Sequence, residues 1–175
     1  NEGLAKAQAT PAQQNSGPGD AAEEPVVVLG SGNLGLVYVR GDRRRTLRAL
    51  ETAWPALIPG LAGHPGIGFV AGIEEDGRAW AIGGSGRRNI ASGDVEGTDP
   101  LAAFGSHSAR VLLRALRQPE APDLYVNSTV DPVTNDVAAF EGLVGSHGGL
   151  GGWQDRAVLL GPADLMAGLP ERIEG

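Results

Sequence analysis

The sequence predicts a mixed fold in which β-strands alternate with short helices, of the α/β or α+β class. Three observations carry this. Short runs of β-prone apolar residues recur between Gly- and Pro-rich breaks. Two stretches with helix-start signals lie among those runs, and no internal repeat is visible. With 175 residues, 41% of them hydrophobic, the chain is long enough for one well-cored domain and too short for two. Its 28 Gly and 12 Pro predict many tight turns, and an aromatic content of 5% leaves the core to Val, Leu, Ile and Ala.

Residues 1–24 carry Ala, Gln, Gly, Ser and Pro, ending on Asp20, Glu23 and Glu24, and lack any run of large apolar side chains. They are expected to be a linker or disordered tail, with the first nine residues also suiting the end of an upstream helix. The globular part spans residues 25–175. Residues 26–29 (Val-Val-Val-Leu) form a continuous apolar run, as expected for a strand buried on both faces. A Gly-rich turn then leads to a second strand over 34–39, closed by Arg40-Gly41-Asp42.

Thr46 is the expected N-cap of a helix to about residue 53, and Pro55 opens a further helical turn toward residue 61. A strand over 67–73, a turn at Asp76-Gly77 and a returning strand over 78–82 read as a hairpin. A turn over 83–86 and short irregular or β structure over 89–100 follow. Ser106 is the expected cap of a helix whose Val111, Leu112 and Leu116 recur at helical spacing. Residues 124–126 read as a strand, 131–136 as a turn and 137–140 as continuing β structure. A Gly-rich segment over 145–152, a strand over 157–160 and a short terminal helix complete the chain.

A net charge of −7 argues against nucleic acid as a partner, because phosphate backbones require clustered cations. The one basic cluster, Arg43-Arg44-Arg45, reads as a solvated turn. Without cysteine there are neither disulfides nor thiolate zinc sites. No apolar run has the length of a bilayer span and no signal-peptide pattern opens the chain. A start at Asn1 rather than Met leads us to expect a processed or truncated chain.

Two segments invite a chemical reading. Gly30-Ser31-Gly32-Asn33-Leu34-Gly35 spells G-x-G-x-x-G, but a dinucleotide site needs a helix after the glycines. Leu36-Val37-Tyr38-Val39 is strand-like instead, and the acidic residue expected about 20 positions on is missing. The bland reading, a turn between two strands, is preferred. In Val144-Gly145-Ser146-His147-Gly148-Gly149-Leu150-Gly151-Gly152, one imidazole sits among glycines that let backbone crowd around whatever it touches. That suits a metal ligand; it equally suits a loop histidine bonded to a carbonyl, and composition does not decide between them. His64 and His107 read as structural. Asp131, Asp136 and Glu141 are the carboxylates close in sequence, Asp131 with turn chemistry of its own. Ser31 and Ser146 are only weak nucleophile candidates.

Together, Val28 to Tyr38, Ala62-Gly63-His64-Pro65-Gly66-Ile67-Gly68-Phe69, Gly93-Asp94-Val95-Glu96-Gly97 through Asp99-Pro100-Leu101-Ala102, Val126-Asn127-Ser128, Asp131-Pro132 and the segment from Ala139 to Gly152 resemble one family. They are similar to the C-terminal region of actinobacterial proteins of the alkaline phosphatase superfamily. These are type I phosphodiesterase/nucleotide pyrophosphatase-like, membrane-associated proteins sometimes labelled a phage holin family. The resemblance covers about residues 25 to 170.

It implies the C-terminal part of an alkaline-phosphatase-like α/β/α domain, with an inserted α+β subdomain over about residues 29–126. It implies a metal-dependent hydrolase of small phosphoesters with two metal ions, usually zinc, and His147 as the one ligand carried here. The nucleophile and remaining ligands would lie in an upstream N-terminal half, as would segments associating with a membrane. The Ser-Asp-His-Gly ligand segment of the superfamily is absent, so the chain is expected to be inactive alone, with no catalytic residue of its own. The alternative is a degenerate, non-catalytic binding or scaffolding domain at the cell envelope.

Overall fold

A computed structural model describes residues 26–142, 146–155, 158 and 160–167; the tail expected over 1–24 lies outside these. Seven strands form a single antiparallel sheet: β1 (Val26–Ser31), β2 (Leu34–Val39), β3 (Ile67–Ile73), β4 (Ala79–Gly83), β5 (Gly86–Asn89), β6 (Val95–Gly97) and β7 (Leu124–Ser128). Their order is β1-β2-β7-β3-β4-β5-β6, so the last strand enters the middle of the sheet. Among the described residues four α-helices accompany it: α1 (Leu47–Ala53), α2 (Leu57–Ala62), α3 (Ser108–Leu116) and α4 (Ala163–Met166). The class is therefore mixed α/β, with the sheet dominant.

Strand alternation sorts the central side chains into two cores. Val37, Val70, Trp80, Leu124 and Val126 pack with Leu47 and Leu50 of α1 and with Ile58 and Ala62 of α2. From the same strands, Phe69, Ala71, Ala81 and Tyr125 pack with Leu112 and Leu116 of α3 and with Phe104. Phe69 and Phe104 meet edge to face with centroids 4.9 Å apart. Period-2 apolar residues on both faces require cover on both, and the helices supply it.

Most turns form where expected. Thr46 caps α1, its hydroxyl oxygen accepting from the Ala49 N–H at 3.2 Å. Thr46→Ala should cost about 1 kcal/mol, read as a lower urea midpoint at unchanged slope. Gly77 takes φ +81° in the β3–β4 turn, where Asp76 Oδ1 accepts from Arg78 N.

Four expectations are corrected. β1 is not buried on both faces: among the described residues it pairs only with β2, at the sheet edge, and Val28 is 66% exposed. A continuous apolar run fits either position, and pairing decides which. Ser106 does not cap α3, which starts at Ser108 after Gly105 turns the chain at φ +80°; the Ser108 hydroxyl donates to the Gly105 carbonyl. Of residues 137–140, only Val137 makes a β-bridge, to Val130. Of residues 157–160, the described Val158 and Leu160 lie in no strand and are exposed; residues 157 and 159 lie outside the described residues.

The arginine cluster divides. Arg43 and Arg45 are exposed, whereas half-buried Arg44 donates from Nη1 to the Leu116 carbonyl at the end of α3 at 2.6 Å. Burial lowers the pKa of its guanidinium. No described helix is long and apolar enough to cross a membrane.

Candidate functional site: the His147 loop

The β1–β2 connection is a two-residue turn, Gly32-Asn33, with Gly32 at φ +58° in the first central position. That is the residue preference of a twisted hairpin turn. Strand β2 starts at Leu34, so the Gly30–Gly35 motif is a hairpin tip with no helix behind it, and the dinucleotide reading falls. Glycine at position 32 is needed for a second reason: a Cβ there would collide with the backbone of His147.

Next to the tip lie two buried amides. Leu34 of β2 is in register with Asn127 of β7, and Ser128 N donates to the Asn33 carbonyl at 3.0 Å. Asn33 is 0% exposed and Asn127 1%. Asn127 Oδ1 accepts from Leu150 N at 2.7 Å while its Nδ2 donates back to the Leu150 carbonyl at 3.1 Å. Asn33 Nδ2 donates to the same carbonyl at 3.0 Å, and its Oδ1 accepts from Gly149 N at 3.1 Å and from Gln154 Nε2 at 2.8 Å.

Two side chains thus hold both polar groups of one residue and the N–H of its neighbour. Leu150 packs against the α3-side core, and Gly151 and Gly152 are buried. The loop is therefore part of the packed structure. Surrounding atoms raise the pKa of the Asp155 carboxyl by withholding water, against the lowering effect of the Gly151 N–H it accepts.

His147 itself is exposed. Its carbonyl accepts from Asn33 N at 3.2 Å, and its ring Nδ1 lies 3.5 Å from Ser31 Oγ. A contact made through Nδ1 leaves Nε2 as the nitrogen for another partner. Of the nearby carboxylates only Glu141 comes to the hairpin tip, accepting from Gly32 N at 3.1 Å. Asp131 serves its own turn, accepting from Val133 N and Thr134 N, and Asp136 closes that turn through its carbonyl. His64 Nδ1 accepts from Gly66 N, and His107 is the residue directly before α3.

Asn33 and Asn127 were not singled out by the sequence reading. The signal was there: Asn is disfavoured inside a strand, so one at 127 asks for a side-chain partner.

Chemically, the arrangement presents one exposed imidazole on a fixed loop beside one hydroxyl. Among the described residues, no three His, Cys, Asp or Glu side chains are grouped so as to hold a metal ion. On the far side of the hairpin from α3, an apolar groove of about 1070 Å³ lies between β1–β2 and the α1–α2 corner, reaching Gly30 and Phe140 at the tip. Compared with known proteins, the chain matches no family model, no curated protein and no solved structure.

Proposed function

We propose that this chain is the His147-bearing part of a metal-dependent phosphoester hydrolase, a phosphodiesterase or phosphatase of the alkaline phosphatase type. The observation that carries the reading is the combination at His147. Its backbone is fixed by a packed glycine loop, its ring is exposed, and Nδ1 is engaged by Ser31. A ligand histidine is oriented in this way by a bond through its other nitrogen.

His147 would be one ligand of a set completed by an upstream half of the protein, since one imidazole is too few for a stable zinc site. The sheet with its helices would then be the C-terminal part of an α/β/α domain, the subdomain over residues 29–126 included. The metals, two zinc ions in the intact protein, would polarise a phosphoryl oxygen and activate the nucleophile. Membrane association would reside in the upstream segments.

The test is a zinc titration of this chain alongside a His147→Ala comparison in the longer protein. The chain alone should bind zinc weakly, and that binding should disappear in His147→Ala. In the longer protein the same substitution should lower phosphodiesterase activity by orders of magnitude at unchanged stability, because the ring is exposed. Near-normal activity in the variant would sink the reading. Tight one-to-one zinc binding by the chain alone would show that further ligands are here.

One observation favours a second reading, a non-catalytic binding or scaffolding domain. The apolar face of edge strand β1 and the groove beside it are what such a domain would offer. A longer protein that is stable, retains His147 and hydrolyses no phosphoester would decide for it.

A further inference from the structure

We infer that Asn33 and Asn127 are positioning residues whose side-chain amides set the place of the His147 ring through the loop backbone. The purpose rests on His147 acting as a ligand; the latch itself does not.

Both amides are buried, and a buried amide is retained only where its donors and acceptor are satisfied. Their partners in the loop include the Gly149 N–H and both polar groups of Leu150, two and three residues after His147; Gln154 Nε2 donates to Asn33 and Asn127 Nδ2 also donates to the Ser128 carbonyl. Asn127 engages both the N–H and the carbonyl of Leu150, as a paired strand residue would. Its side chain therefore continues the sheet into the loop by one bridge.

Asn33 adds a second hold from the other side. Its backbone N–H donates to the His147 carbonyl while its side chain holds Gly149 and Leu150. Residues 147, 149 and 150 are thus fixed to the β1–β2 turn and to the neighbouring interior strand β7. The fit is close: a Cβ on Gly149 would lie 2.5 Å from Asn33 Oδ1 and 2.7 Å from Asn127 Oδ1. A side chain at position 149 would push the loop off both amides. With the backbone fixed on both sides, the ring of His147 is brought to Ser31 Oγ, a residue 116 positions earlier.

The test uses Asn127→Ala in the whole chain, read by amide hydrogen exchange and by the ring signals of its three histidines. Exchange at Leu150 should speed by about tenfold or more, the effect of removing one partner of a buried hydrogen bond. The His147 ring signal should shift or broaden, while those of His64 and His107 and the amides of Val70 and Ala71 hold. An unchanged His147 signal, or protection falling equally across the sheet, overturns the inference.

Should Asn127→Ala not fold, Asn33→Ala leaves both Asn127 bonds to Leu150 and is read the same way at the Gly149 amide. Loss of folding in both variants also overturns it, since the pair would then be holding the sheet together. No metal enters these measurements. A failed zinc titration therefore leaves the latch standing, and a failed latch leaves the titration to be judged on its own result.

Discussion

Gly151→Ala is expected to destabilise the chain by about 3 to 5 kcal/mol, the sum of backbone strain and overpacking at a site that cannot give. Gly151 sits at φ +86°, and a Cβ there would lie 2.5 Å from Val130 Cγ2 and 2.9 Å from Phe104 Cδ1. Both neighbours are core residues, and Phe104 is locked against Phe69. Urea unfolding should show the loss as a lower midpoint. A change under about 1 kcal/mol would mean that the loop does not pack on this core.

Asp123→Ala should cost about 3 kcal/mol or more, since two backbone donors lose a charged partner in a buried place. Asp123 is 4% exposed. Its Oδ2 accepts from Val39 N at the end of β2 at 2.5 Å, and its Oδ1 accepts from Arg45 N on the approach to α1. One carboxylate therefore ties the end of β2 and the start of the α1–α2 crossover to the start of β7. Asp123→Asn, which keeps one acceptor, should lose less. Thermal unfolding of the two variants gives the order, and an Asn variant as damaged as the Ala variant would contradict it.

β1 to β4 and β7 were readable because each carries a short apolar run bounded by turn residues or charges, and α1 because Thr46 announces its own start; β5, Gly-Arg-Arg-Asn, has no apolar run and was not expected as a strand. Which strand sits where was not readable. The run at residues 26–29 is as apolar as a central strand, yet β1 lies at the edge, while β7, shorter and carrying Asn127 and Ser128, lies at the centre. Pairing depends on the whole set of strands, and composition carries little of it. Around His147 the glycines marked a tight loop correctly. Its partners Ser31, Asn33 and Asn127 come from distant parts of the chain, and no local spacing brings them to mind. Arg44, read as a solvated charge, docks on the end of α3, 72 positions later, which no local spacing places beside it.

Because β7 pairs with both β2 and β3, this sheet is finished from the inside. Leu34 waits for Asn127, about 90 residues later, so its pairing has a high loop-closure cost and should form late. Until the chain has passed Ser128, β1–β2 and β3–β6 are two separate ribbons, each with an inward edge of open hydrogen-bonding groups. Such edges invite pairing with other chains. Shortening the chain ahead of β7 would accordingly remove the seam and leave two sticky halves. The same strand then carries Asn127 to the His147 loop, so the loop is held only once the sheet has closed.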